Sequence, residues 1–189
     1  MFSRFETFMT LFDKSEDFKF EKTPNEEITA LGCMSGTSLD GLDLALVTFT
    51  PPSKKNSSWK FHVQSTEFIS YSKTDWEEKL LTAYTLSDEN KVEEISKKYA
   101  QWISLKAKNF LDRLPKNIPQ AEVFCCHGHT IRHNPKMRIT KQIGNTYELT
   151  THLDIPVVCD FRSADVERGG QGAPLVPLAD MFLFHEYPI

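Results

Sequence analysis

Three apolar runs follow one another between Ile28 and Ser70, and only short polar turns separate them. Ile28 to Met34 is compact and fits a buried strand. Ser35-Gly36-Thr37-Ser38-Leu39-Asp40-Gly41 turns the chain into a second run, Leu42 to Phe49. Pro51, Pro52, Ser53 and Asn56 make the next turn, and Trp59 to Ser70 alternates roughly. Connections this short imply an antiparallel meander. Helical spacing comes next. Thr74-Asp75-Trp76-Glu77 has the pattern of a helix start, with Glu77 placed to complete a capping box. After Ser87, the residues Val92, Ile95, Tyr99, Trp102, Ile103, Leu105, Phe110 and Leu111 recur at threes and fours. That spacing predicts a long amphipathic helix, ended by Pro115. Glu122–Cys126 and Ile155–Cys159 read as short buried strands, and Thr146–Leu153 as a helix. Residues 169–177 read as a Gly/Pro loop, and Leu178–His185 as a short apolar helix. The order β-β-β-α-α-β-α-β-loop-α predicts an α/β fold, a ribonuclease-H-like lobe.

Composition narrows the function classes. The 189 residues suit one domain or one lobe of a larger protein. They are 40% hydrophobic with 14 Phe, so a real core is within reach and wholesale disorder is excluded. The 22 basic and 26 acidic residues give a net charge of −4, which argues against a nucleic-acid binder. No apolar run reaches the roughly 18 residues a membrane span needs. Residues 1–26 form an amphipathic extension. Phe2, Phe5, Phe8, Met9 and Phe12 recur at helical spacing, predicting a short surface helix or a loosely held tail. Scattered acids and the lack of an apolar centre exclude a signal peptide there. Cys33, Cys125, Cys126 and Cys159 sit in apolar runs, as reduced thiols of a cytoplasmic protein do.

Four segments could carry chemistry. The turn Ser35–Gly41 is rich in Gly, Ser and Thr and holds Asp40. It is either a phosphate cradle, with Mg²⁺ between Asp40 and phosphate, or a plain polar hairpin turn. It is not a P-loop, because no Gly-Lys-Ser/Thr follows it. Cys126-His127-Gly128-His129-Thr130-Ile131-Arg132-His133 carries three histidines. Their spacing matches no familiar zinc framework, so metal ligation is the weakest of three readings, beside ligand contact and structural roles. Asp160-Phe161-Arg162, with Asp165 and Arg168 behind, follows a buried strand, where open α/β folds place ligand contacts. The alternative there is a solvated local ion pair. Gly169-Gly170-Gln171-Gly172 demands positive φ angles or close backbone approach, or is simply a sharp turn. A nuclease reading, with Asp40, Asp43 and Asp160 converging on two metals, is opposed by the acidic balance.

The order of these segments is informative. Gly32-Cys33-Met34-Ser35-Gly36-Thr37-Ser38-Leu39-Asp40-Gly41-Leu42-Asp43 closely resembles the opening motif G-x-M-S-G-T-S-x-D-G-x-D of the anhydro-N-acetylmuramic acid kinase family. Cys126–Thr130 with His133 resembles that family's S/C-H-G-Q/H-T segment. Gln142-Ile143-Gly144-Asn145 is similar to its Q-I/L-G-N/D stretch. Asp160–Arg162, Asp165 and Gly169–Pro177 resemble its D-F-R-x-x-D…G-G-Q-G-A-P-L-V-P block. The resemblance spans residues 32–177.

It implies the sugar-kinase/actin (ASKHA) fold, two ribonuclease-H-like lobes with ATP between them. The implied reaction hydrolyses the 1,6-anhydro ring of the amino sugar and phosphorylates O6, using ATP and Mg²⁺, in cell-wall recycling. By matching positions, Gly36, Thr37, Ser38, Leu39, Asp40, Gly41, Leu42 and Asp43 would bind ATP, with Asp40 at the metal. Ser35, His127, His129 and Arg162 would line the sugar side. The family's water-activating Asp lies in a G-x-D-x-G-P-G-N segment, which is not among these residues. Residues 27–189 are therefore expected to be the N-terminal lobe, with its catalytic base unassigned and no turnover alone. Its expected partners are the amino sugar and ATP, with a second lobe or a homodimer. The other reading is a non-catalytic binding or docking module.

Overall fold

The computed structural model describes residues 10–12, 26–54, 57–173 and 175–184. Its strands are β1 (Thr10–Phe12), β2 (Ile28–Ser35), β3 (Gly41–Thr50), β4 (Lys60–Ser70), β5 (Val123–Cys126), β6 (His129–Asn134), β7 (Ile139–Ile143) and β8 (Val157–Cys159). Six of them form one sheet in the order β1-β8-β5-β2-β3-β4, and β6 and β7 pair separately. The meander is as expected: β2, β3 and β4 are antiparallel neighbours. β5 joins β2 in parallel and β8 joins β5 in parallel. The result is a mixed α/β fold in which β2, β5 and β8 all end at one edge.

Register decides what each face carries. Cys33, Cys126 and Cys159 lie in one row across these three strands, and Leu31, Phe124 and Val157 lie in the next. Side chains in line share a face, and all six are buried. Leu42, Leu44 and Leu46 of β3 join the same cluster. Burying each leucine contributes about 1.5–3 kcal/mol. Burial pushes the Cys33 thiol up and the Cys125 thiol to about 12, so both stay protonated. All four cysteines are free, as the sequence implied.

Two helices complete this core. α1 (Trp76–Thr85) buries Trp76, Leu80 and Ala83. α2 (Glu89–Asp112) buries Val92, Tyr99, Ile103 and Phe110 of the predicted set, together with Ala100 and Ala107, while Leu105 is exposed. Asp88 starts α2, its carboxylate accepting from the amides of Asn90 and Lys91 at 3.0 and 3.4 Å. The capping box at Glu77 does not form. Thr74 spends its amide on the Tyr71 carbonyl, and Asp75 pairs with Lys79 at 2.5 Å instead.

Other expectations shift. Thr10–Phe12, within the extension read as a short surface helix or a loosely held tail, is a strand antiparallel to β8. Backbone pairing with an open sheet edge outweighs a local period there. The rest of the extension lies outside the described residues. Residues 146–153 make only one 3-10 turn, Tyr147–Thr150. The β6–β7 hairpin was not anticipated, because its left-handed turn position is Arg138 rather than glycine. α3 (Ser163–Glu167) is too short to show a period. α4 (Leu175–Phe184) begins inside the expected loop, with Pro177 in its first turn, where proline is tolerated. No helix among the described residues is long and apolar enough to cross a membrane.

Candidate functional site

The four sequence-selected segments meet at the edge where β2, β5 and β8 end. The turn Gly36–Asp40 leaves β2, His127 and Gly128 leave β5, and Asp160 leaves β8. The His127 amide donates to the Cys33 carbonyl at 3.1 Å, setting the histidine loop against the root of the turn.

The turn is tight. Leu39 takes a left-handed φ of 58° and its amide donates to the Gly36 carbonyl at 3.3 Å. The Ser38 hydroxyl donates to Asp40 Oδ1 at 2.6 Å and holds this exposed carboxyl below its ordinary value. Thr37, Ser38 and Asp40 are exposed, as a ligand-binding turn requires. Gly41 is buried, and a Cβ there would stand 2.6 Å from the Ile69 carbonyl. Leu42 is fully buried in the core, so its part in any site is to seat the turn. Asp43 is exposed and pairs with Met34 and Phe68, alternating to the face away from Leu42 and Leu44. Among the described residues no three His, Cys, Asp or Glu side chains are placed to hold a metal ion. Asp40, Asp43 and Asp160 therefore do not form the triad of the nuclease reading. Asp40, the carboxylate of the Gly36–Asp40 turn, has the donor chemistry that would suit a hydrated Mg²⁺. It is a hard, ionised, solvent-facing oxygen donor on the turn itself.

The second half of the site is built on His127. Arg162 Nε donates to His127 Nε2 at 2.7 Å, and His127 Nδ1 donates to the Gly128 carbonyl at 3.0 Å. A ring that accepts at Nε2 and donates at Nδ1 is neutral, with its proton on Nδ1. Burial and then the Arg162 cation hold its pKa below the usual histidine value. Arg162 also donates to the Gly172 carbonyl at 3.0 Å. With Phe161, Ala173, Val176 and Ala179, these groups line a cavity of about 270 Å³. A larger cavity, about 620 Å³, opens at the opposite end of β5 and β8, between Leu111, Ile118, Ala121 and Ile155. None of the four sequence-selected segments reaches it. The smaller one is the better candidate, because it lies where the selected segments meet; its lining is almost wholly apolar and includes Arg162 and His127, which bond each other.

The glycine loop wraps the Asp165 carboxylate. Asp165 Oδ2 accepts from the Gly172 amide at 2.7 Å, and the Gly170 amide donates to the Asp165 carbonyl at 2.8 Å. A Cβ on Gly170 would collide with that carboxylate. His133 is exposed and bonds Thr140 at 3.2 Å.

His129 points elsewhere. It is fully buried, and its Nδ1 lies 3.0 Å from the Ser35 hydroxyl. That hydroxyl lies 2.8 Å from the Tyr71 phenol, which lies 2.5 Å from the Tyr99 phenol. Ser35 and His129 are thus brought together beneath the turn, while His127 and Arg162 line the cavity. Neither tyrosine was selected from the sequence. Their signal was available: a tyrosine buried at core spacing needs a partner for its hydroxyl. Asn145 was also underread. Its Nδ2 donates to the His127 carbonyl at 3.3 Å and braces the histidine loop.

Residues 28–188 match the family model of the anhydro-N-acetylmuramic acid kinases. A relative named anhydro-N-acetylmuramic acid kinase in Paramagnetospirillum magneticum is 38% identical over 149 residues, covering 79% of this chain and 39% of the relative. One of the same name in Pseudomonas fluorescens is 39% identical, covering 82% and 41%. Another in Psychrobacter cryohalolentis is 33% identical over 190 residues, covering 94% and 44%. The chain therefore spans about two fifths of the length of these curated relatives. Over residues 28–188 both the match and the ordered motifs agree, and the chain belongs to the anhydro-N-acetylmuramic acid kinase family.

Proposed function

We propose that this chain is the ATP-phosphate-binding lobe of an anhydro-N-acetylmuramic acid kinase. In that role it supplies half of a cleft where the 1,6-anhydro ring is hydrolysed and O6 phosphorylated. The carrying observation is the Gly36–Asp40 turn, exposed and tightly wound, at the strand-end edge that also holds Arg162 and His127. The strand order β4-β3-β2-β5-β8, with a meander feeding parallel strands, supports a ribonuclease-H-like lobe of the sugar-kinase/actin superfamily.

In this reading backbone amides and hydroxyls of Gly36, Thr37 and Ser38 cradle phosphate oxygens. Asp40 would hold a hydrated Mg²⁺, and the ion would supply charge neutralisation for the transferring phosphoryl group. Arg162, held by His127 and the Gly172 carbonyl, offers a fixed cation on the sugar side. His127 keeps Arg162 in place without competing for its charge, because its neutral ring accepts. The water-activating Asp of the family motif is not among the 189 residues, so these residues alone are expected to bind without turnover. Free cysteines suit a cytoplasmic setting.

Calorimetry tests this reading with MgATP and with anhydro-N-acetylmuramic acid. MgATP should bind, and Asp40→Ala should weaken it by about tenfold or more. No binding at millimolar nucleotide would refute the phosphate assignment for this chain.

The docking-module reading has one observation in its favour. Val176, Leu178, Met181, Phe182 and Phe184 of α4 are all exposed. Exposed apolar side chains crowded on one short helix invite association. The chain should therefore self-associate as concentration rises in light scattering, and Phe182→Asp should reduce it. A concentration-independent monomer would remove this reading's support.

A further inference from the structure

Tyr71 touches both ends of the Gly36–Asp40 turn. Its backbone amide donates to the Asp40 carbonyl at 3.0 Å, on the far side. Its phenol meets the Ser35 hydroxyl at 2.8 Å, on the near side. Ser35 closes β2, and Asp40 directly precedes β3. Nothing in the sequence of the turn itself supplies such a brace. Tyr71 is in turn held rigidly. It is fully buried, its hydroxyl meets that of Tyr99 on α2, and its ring lies 5.8 Å from that of Trp102. Tyr99 stacks on Trp102 at 6.0 Å and packs on Trp76 at 4.9 Å. The clamp therefore ties the turn to the centre of the helical layer.

The hydroxyls also define a direction. Three contacts join Tyr99, Tyr71, Ser35 and His129 Nδ1. Three hydroxyl protons are available, one per hydroxyl. If His129 accepts at Nδ1, each proton is used once, running Tyr99 to Tyr71 to Ser35 to His129. If His129 donates at Nδ1, one hydroxyl proton is stranded in the core and Nε2 becomes a bare acceptor. His129 Nε2 has no partner in either case. The first arrangement leaves one buried polar group unsatisfied and the second leaves two, so the first is preferred. It puts the proton of His129 on Nε2, opposite to His127, although the two rings are two residues apart.

We propose that Tyr71 is the positioning residue of the candidate phosphate turn, gripping Asp40 through its backbone and Ser35 through its phenol, within a one-way hydroxyl chain that fixes His129 as the Nε2–H tautomer. This rests on the phosphate reading only for its consequence for ligand affinity. The clamp and the tautomer stand on geometry alone.

The test combines three readouts on the full chain. Nitrogen-detected NMR of the histidine rings at neutral pH should show a protonated Nε2 in His129 and a protonated Nδ1 in His127. Ser35→Ala should abolish the preference at His129 and leave His127 unchanged. Amide exchange at Leu39 should accelerate about tenfold in Tyr71→Phe, because a braced end of its turn is released. MgATP affinity should fall about tenfold in Tyr71→Phe and in Ser35→Ala, and no further in the double variant, as a shared contact requires. A protonated Nδ1 in wild-type His129 overturns the chain's direction. Unchanged Leu39 exchange in Tyr71→Phe, or strictly additive losses, overturns the clamp. If wild type binds no MgATP, the phosphate reading fails, and exchange and ring NMR still decide the clamp.

Discussion

Gly128→Ala is expected to lower the melting temperature by roughly 6–12 °C, a loss of about 3 kcal/mol in a domain of this size. Two costs combine. Gly128 has φ = 69°, and a side chain in the left-handed region costs roughly 1–2 kcal/mol. Its Cβ would also stand 2.6 Å from the Ile143 carbonyl and 2.7 Å from Asn145 Oδ1. The carbonyl is backbone between two braced elements and has little room to retreat. Asn145 could yield, but only by dropping its bond to the His127 carbonyl. Gly169→Ala separates these costs. Gly169 has φ = 89°, yet nothing lies within 4 Å of its would-be Cβ. It should lose about 1 kcal/mol from strain alone. Thermal melts of the two variants side by side check the argument. Equal losses would show that the histidine loop relaxes freely and that the close approach does not constrain it. Gly128→Ala should also weaken any ligand held by His127 and Arg162, since the displaced loop carries His127.

The meander and the helices were legible for a simple reason. Long apolar runs such as Leu42 to Phe49, and the threes and fours of α2, report burial directly, and burial is what the fold maximises. The hairpin β6–β7 was not legible. Its left-handed residue is Arg138, and Arg132 and Lys141 look like surface charge until both are seen to pair with Glu89 at the start of α2. The extension misled because its phenylalanine spacing is helical while Thr10–Phe12 takes the edge position beside β8. At the site, the placement of the motif segments was legible: the turn, the loop at His127 and Arg162 lie at one sheet edge, while His129 turns into the core. What held them was not. Tyr71, Tyr99 and Asn145 come from three distant segments, and only folding brings their polar atoms within bonding range. His127 and His129 looked equivalent in the sequence. One residue of glycine between them turns one ring to the cavity and the other into the core.

That separation gives the second large effect, a loss of stability on acidification. Burial, with His127 as a like-charged neighbour, lowers the His129 pKa from 6.5 to about 4. The unfolded chain takes up a proton as pH falls through about 6.5, while the folded chain refuses it until about 4. Between these values the unfolded state binds more protons, so stability falls as pH falls. The contribution of neutral His129 is complete above about 6.5 and is lost progressively down to about 4. By pH 4.5 the loss should reach roughly 2–3 kcal/mol. The lowered pKa of His127 acts in the same direction. Carboxylates work in a different window. Glu89, held between Arg132 and Lys141, drops from 4.5 to about 2, so its contribution is lost only below about 4.5. Urea denaturation from pH 7 to 4.5 therefore isolates the histidines. His129→Gln keeps a polar side chain beside Ser35 without a titrating ring, and should flatten the profile through most of that range. A variant profile parallel to wild type would show that His129 is protonated without penalty in the folded state. The hydroxyl chain would then have to reverse, since a protonated imidazole can no longer accept from Ser35.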